Sequence, residues 1–470
     1  MIFLEPLPFV RSFVATIDIA IKKHTGKSSG LTMTQRGWLS FCLMGILLTN
    51  SVCWTRFERI GLGGYAAPAL SWMFRRAKIM SWKFILHMSV IVILEEYGIS
   101  NGVLVLDDSD KKRSKKTTRI AGVHKLKDKT SGGFIMGQNI VLLLLVTGTI
   151  TIPVGVAFYQ PDPVRSKWVK DDKIMKEKGI LKKRRPVEPP RNPSYPTKLE
   201  LGLSLLKEFK QWHGEIEVKA ILADALYGAV AFVNDSKQLF YGVQVISQLR
   251  NNQNVRSRNR TLSVEEYFHR HSDVSVKLRV RGGKEIPALI KSARVYVCSH
   301  SKKRFIVAVK YEGETEYRYL FASDLTWRTE DILRTYTLRW LIEVFFQDWK
   351  ANEGWGQLTT LQGVEGSSHG LILSLLVDHC LLLHPDQLAR LKQNKPAFTV
   401  GSVINTIKIE SLLATIRKVM NADDPEQKLA EMADQLVKLF PLATSEKHMA
   451  GRELGRQEPT PSLKYQAMAA

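Results

Sequence analysis

The sequence predicts an α/β chain whose sheet-based middle is interrupted by a mostly β segment and flanked by helical regions. Three observations carry that expectation. Short apolar runs at Val103–Leu106 and Val218–Ala223 each lead into aspartate; Leu199–Trp212 and Tyr336–Lys350 carry apolar residues at helical spacing; and Val274–Val280 alternates with period two. At 470 residues the chain is long enough for several folding units with at least one sizeable core.

Residues 1–95 alternate helical apolar patterns with short breaks, as in Leu39–Met44 and Trp82–Met88, punctuated by Gly61, Gly63 and Gly64. They read as a helical N-terminal domain. The spread of Arg56, Arg59, Arg75, Arg76 and Lys78 suits a DNA-binding helical module and equally a plain helical cap. Residues 96–249 open the sheet-based domain. Val103–Leu106 reads as a buried strand that delivers Asp107, Asp108 and Asp110 at its C-terminal end. From Lys111 to Lys129 nine Lys or Arg stand against one acid, Asp128. Such a run is ordinarily a solvated face, but beside carboxylates it can hold a phosphate backbone, with Lys125, Lys127 and Lys129 as candidate contacts. His124 reads as a solvated loop residue.

Val141–Val146 and Ile150–Val154, joined by Thr147-Gly148-Thr149, form a hairpin pattern. Residues 161–196, rich in proline and lysine, read as an exposed loop. Leu199–Trp212 is an amphipathic helix, and Val218–Ala223 a second strand, tipped by Asp224. Residues 250–328 read as a β-rich insertion and 329–385 as the second, helical part of the same domain. Residues 386–470 read as a helical C-terminal interaction region with a poorly ordered tail.

Lys and Arg number 68 against 45 Asp and Glu, a net charge of +23, which favours a polyanionic partner, nucleic acid before membrane. Cys42, Cys53, Cys298 and Cys380 lie far apart without a CxxC pair, so neither a zinc site nor a disulfide framework is expected. Acid and prolines near the N-terminus do not suit a signal peptide, and a reducing cytoplasm is the expected compartment. Two uncharged stretches, Trp38–Trp54 and Gln138–Gln160, read as a buried helix and as strands with a turn, so no membrane span is expected.

At about 100° per residue, Tyr336, Arg339, Glu343 and Lys350 fall within an arc of roughly 60° on one helix. Leu338, Leu341, Ile342, Phe345 and Trp349 lie opposite, with Phe346 at the margin. Tyr336-x2-Arg339-x3-Glu343-x6-Lys350 resembles the YREK signature of the DDE-class, cut-and-paste transposases of bacterial insertion sequences. Leu106-Asp107-Asp108-Ser109 is similar to that family's first-aspartate motif and Leu222-Ala223-Asp224 to its second. The resemblance covers roughly residues 100–385. It implies a ribonuclease-H-like catalytic domain interrupted by a β insertion, with Asp108, Asp224 and Glu343 as the catalytic, metal-holding acids. Asp107 and Asp110 compete for the first place; strand alternation puts Asp107 and Asp108 on opposite faces, and the following Ser109 favours Asp108.

The chemistry explains the residue types. Two divalent ions about 4 Å apart, Mg²⁺ or Mn²⁺ in its stead, stabilise the attacking and leaving oxygens of phosphodiester hydrolysis and strand transfer, and hard carboxylates hold them. By resemblance, Asp108 bridges the ions, while Tyr336, Arg339 and Lys350 grip phosphates. Tyr319, or nearby Trp327, stands about where relatives carry a base-stacking tryptophan. The resemblance further implies terminal inverted repeats and target DNA as partners, a synaptic homodimer that cuts in trans, and hairpinned ends, in a prokaryotic, nucleoid-associated setting. Two rivals stand beside it: a Mg²⁺-dependent DNA nuclease on the same fold, and a catalytically inactive DNA-binding relative acting as regulator.

Overall fold

The apolar run that begins at Val103 belongs to a longer strand, β1 (Asn101–Lys112), which runs on past its aspartates. The structure is a computed structural model that describes residues 2–26, 28, 30–76, 81–113, 120–128, 131–258, 260–279, 285–357 and 363–440. Lys78, Lys129 and the expected C-terminal tail lie outside the described residues. Helices α1 (Pro8–Thr25), α2 (Met33–Thr49), α3 (Trp54–Ile60), α4 (Ala67–Arg76) and α5 (Trp82–Tyr97) precede β1. After it come β2 (His124–Lys127), β3 (Phe134–Val146), β4 (Thr151–Tyr159), α6 (Pro163–Glu177), α7 (Lys198–Trp212), β5 (Glu217–Ala223), α8 (Val230–Leu239) and β6 (Gln244–Leu249). Next are β7 (Asn254–Ser257), β8 (Arg260–Ser263), α9 (Val264–His269), β9 (Val274–Arg279), β10 (Glu285–Val297), β11 (Lys302–Tyr311) and β12 (Arg318–Ala322). Helices α10 (Thr329–Thr337), α11 (Trp340–Asn352), α12 (Gly363–Leu382), α13 (Pro385–Lys392), α14 (Val400–Met420) and α15 (Pro425–Leu439) follow.

The result is a mixed α/β fold around one large mixed sheet, ordered β2-β3-β1-β5-β6-β12-β11-β10-β7-β8, with β4 on β3 and β9 on β10. β1 is antiparallel to β3 and parallel to β5, which is parallel to β6. β12 pairs antiparallel with β6, so the β-rich stretch after residue 250 prolongs this sheet. Alternation decides what each face buries. Val105, Leu142, Leu144, Leu222 and Ile246 join one apolar cluster with α1, α2, α11, α12 and α14. Leu104, Leu106, Leu143, Ile221 and Val245 join another with α7 and α8. The N-terminal helices therefore pack onto the sheet itself. Asn50, at φ 48, caps α2, and its side chain accepts from Gly354 N at 2.8 Å, tying these helices to the end of α11.

Two expectations need correction. Residues 161–196 are not loop throughout: α6 forms there, started by Asp162, whose carboxylate accepts from Val164 N and Arg165 N, and by Pro163. No residue of α6 is buried, so apolar periodicity could not reveal it. Nor do Tyr336 and Lys350 share one helix, because the chain turns between α10 and α11 at Leu338 and Arg339. Tighter three-residue hydrogen bonds span that turn, Leu341 N to Leu338 O at 3.0 Å and Ile342 N to Arg339 O at 3.2 Å. Among the described residues no single helix is long and apolar enough to cross a membrane; one bent pair, Gly366–Leu382 with Pro385–Lys392, passes on composition, and most of α12 is buried in the core.

Candidate active site

The acids gather where β1 outruns its parallel partner. The β1–β5 pairing ends at Leu106 and Ala223, so Asp107 and Asp224 are the next residues on adjacent strands. Asp224 turns the chain into a short 3-10 segment, its carboxylate accepting from Leu226 N at 2.9 Å. One carboxylate oxygen from each of Asp107, Asp108 and Asp224 lies within 4.8 Å of the other two.

Alternation then separates the two neighbours. Asp107 follows Val105 onto the face packed by α11. Arg339 Nη1 donates to its Oδ2 at 2.5 Å and lies 3.6 Å from Glu343 Oε1. Ser109, on the same face, accepts from Lys350 Nζ at 2.6 Å. Asp108 turns to the other face, where Lys198 Nζ, from the first turn of α7, donates to its Oδ2 at 2.6 Å and Asn139 Nδ2 at 3.1 Å. Tyr336 is half-buried, and its hydroxyl donates to Ala223 O at 3.4 Å. Glu343 is the most open of the four acids, its side chain 44% exposed, as a group that must meet a ligand from solvent would be.

The electrostatics follow from crowding. Burial, reinforced by Asp224 and Glu343 and opposed by Arg339 and the Asp108 N–H, pushes Asp107 up to about 7. Burial, with the Asp108 charge adding to it, also raises Asp224. Burial works against the Arg339 charge, but Tyr336, Asp107, Glu343 and Asp224 outweigh it and hold the guanidinium charged. Several hard carboxylates that cannot all ionise comfortably in one place fit a divalent cation, which relieves that repulsion through oxygen ligands.

The residues expected from sequence are thus partly reunited. Asp108, Asp224, Glu343, Tyr336, Arg339 and Lys350 surround one region, but Asp107 rather than Asp108 faces the helix bearing Glu343. Lys125 and Lys127 are exposed on the edge strand β2, Lys125 over the Phe134 ring at 4.2 Å. His124 is half-buried, with its Nδ1 2.9 Å from Gly122 O, and not the solvated loop residue expected. Tyr319 is a correction: it is buried in the core beside Phe268, with ring centroids 6.0 Å apart, and presents no face for a base. Its period-two place on β12 points inward. Trp327 packs half-buried against the core. Sequence reasoning missed Lys198 and Asn139. The capping box of Thr197 and Glu200 that starts α7 could have flagged Lys198 as a helix-start cation facing the strand ends.

Two families of known proteins match parts of the chain. Residues 81–273 match the family described as DDE superfamily endonuclease, and residues 192–377 match that described as Transposase DDE domain. Each match takes in about two-fifths of the chain, and the two overlap over residues 192–273. No curated protein matches the chain. Among solved structures it is similar to a piggyBac transposase synaptic complex with hairpin DNA, at 11% identity over 94% of this chain and 87% of that one, with a TM-score of 0.44, too low to carry a functional argument.

Proposed function

We propose that the chain is a metal-dependent DNA transposase that cuts at transposon ends and joins them to target DNA, with Asp107, Asp224 and Glu343 as its principal acids and Asp108 beside them. The observation that carries this reading is the Arg339 guanidinium, which contacts Asp107 at 2.5 Å and Glu343 at 3.6 Å and so ties the sheet-end acids to the helix acid. We rank Asp107 ahead of Asp108, the acid the sequence favours, because of the two it contacts the Arg339 that also reaches Glu343, while Asp108 stays in the same carboxylate group. A strand, a hairpin, a helix and a parallel strand tipped by an acid follow one another in the order the ribonuclease-H-like reading requires.

These carboxylates would hold Mg²⁺, or Mn²⁺ in its stead, and the metal would supply Lewis-acid stabilisation of the attacking and leaving phosphodiester oxygens. The remaining steps belong to side chains. Arg339 and Lys350 would exchange their carboxylate and hydroxyl partners for phosphate oxygens, and Tyr336 would donate a hydrogen bond to one. Lys198 holds the Asp108 carboxylate in place. The +23 charge and exposed Lys125, Lys127, Arg56, Arg59, Arg75 and Arg76 support a long DNA footprint, which would take in terminal repeats and target DNA.

Purified protein with Mg²⁺ or Mn²⁺ is expected to nick or cut a duplex bearing its own terminal inverted repeat. Glu343→Ala should cut about 10³-fold more slowly or worse while still shifting the duplex in a gel. Undiminished cutting by Glu343→Ala would sink the assignment. A DNA nuclease on the same fold is the second reading, favoured by the endonuclease family match at residues 81–273; it predicts cutting without joined target products.

A further inference from the structure

Apart from the acids of the sheet, the junction of α13 and α14 gathers a second set of potential ligands. One ligand atom from each of His384, Asp386 and Glu410 lies within 4.8 Å of the other two. His384 is the residue before α13, Asp386 sits in the first turn of that helix, and Glu410 projects from α14. The His384 ring is buried, 2% exposed, with Phe9 of α1 set edge-on to it at 4.9 Å between centroids. Among the described residues neither of its ring nitrogens has a hydrogen-bond partner. A buried imidazole with both nitrogens unpaired is uncommon and unfavourable, and it asks for a ligand.

The spacing says what kind. His384 Nε2 stands 3.7 Å from Glu410 Oε2, too far for a hydrogen bond. Two ligands each about 2.1 Å from a tetrahedral ion stand roughly 3.4 Å apart, so this separation suits a shared cation better than a direct contact. One imidazole and two carboxylates make a mixed nitrogen and oxygen set, suited to a borderline transition ion rather than to Mg²⁺ or Ca²⁺. The Glu410 side chain is 40% exposed, which leaves an entry path and room for a water ligand.

We propose that His384, Asp386 and Glu410 form a second divalent-metal site, of the Zn²⁺ class, that pins α14 to the start of α13. The proposal does not rest on the transposase reading. Gln387, beside Asp386 in α13, and Phe398, Thr399 and Val400, where α14 begins, line a cavity of about 960 Å³ that also reaches Tyr336 and Arg339. A bound ion would therefore stiffen one wall of the space beside the candidate active site.

The test uses untagged full-length protein carrying Asp107→Asn and Asp224→Asn, so that the sheet-end acids do not compete for the probe. Calorimetric titration with Zn²⁺ is expected to find one ion per chain, and Co²⁺ a visible absorption band that Zn²⁺ abolishes. Adding His384→Gln or, separately, Glu410→Gln should weaken Zn²⁺ by about 10-fold or more and remove the band. Glu410 is open enough that its substitution leaves folding intact, so that variant decides the matter if His384→Gln does not fold. Absence of Zn²⁺ binding by the starting protein, or equal affinity in Glu410→Gln, would overturn the site whatever the result of DNA cutting.

Discussion

The two faces of β1 around Asp107 and Asp108 differ by a single residue in sequence and by their whole surroundings in space. Asp107 meets Arg339, itself within reach of Glu343, while its face-mate Ser109 meets Lys350 of α11. Asp108 meets Lys198 of α7 and Asn139 of β3. Each acid has its cation, but only one of the two cations also touches the acid of the helix. A strand end therefore divides adjacent carboxylates into one that shares Arg339 with Glu343 and one held by Lys198 and Asn139.

Arg339→Ala tests the first face. It should slow cutting by about 10²-fold, the size expected when a charge donor aimed at the reacting phosphate is lost. Arg339→Lys should recover only part of that rate, because an ammonium lacks the planar, multiply donating guanidinium group; a lysine variant with full activity would remove the guanidinium from the mechanism. Lys198→Ala tests the second face, and the expected loss is smaller, about 10-fold, as for a group that orients a metal-site carboxylate from outside. Equal losses for Arg339→Ala and Lys198→Ala would erase the distinction between the faces.

Buried histidines away from the site sharpen the contrast, since their burial acts on stability instead of on chemistry. Burial drives His213 down to about 3, and drives His379 and His300 to about 4. Each stays neutral in the folded chain and takes up a proton near 6.5 once unfolded. Their stabilising contribution is thus complete above pH 6.5 and lost as pH falls toward 4, at up to about 1.4 kcal/mol per pH unit for each histidine. Urea midpoints measured from pH 7 to pH 4.5 should fall accordingly; a flat profile would contradict the burial of these rings as neutral groups.

Much of this was legible in the sequence because local pattern and three-dimensional demand agree. Val103–Leu106 and Ala220–Ala223 are continuous apolar runs because both faces of the central strands are covered, and the hairpin at Thr147-Gly148-Thr149 is marked by its turn residues. The spacing from Tyr336 to Lys350 pointed four functional groups at one place even though the helix turns between them, since no glycine or proline marks Leu338. Other features leave no local trace. Period-two alternation separates Asp107 from Asp108 but cannot say which face a distant helix will cover. The ion pair of Lys198 with Asp108 joins residues 90 apart and depends on where α7 docks. Tyr319 was a candidate for base stacking because of its place in the resemblance, and strand pattern alone does not say whether an aromatic there faces outward or inward.

Metal-specific rescue puts the central claim to its most direct test. Asp107→Cys and Asp108→Cys proteins would be assayed for cutting of the terminal-repeat duplex in Mg²⁺ and in Mn²⁺, because a thiolate ligand is poorly matched to Mg²⁺ and better accepted by Mn²⁺. The account predicts that Asp107→Cys is inactive in Mg²⁺ and regains cutting in Mn²⁺, whereas Asp108→Cys is only modestly slowed in either metal. A metal switch seen for Asp108→Cys, with Asp107→Cys cutting alike in both ions, would contradict it.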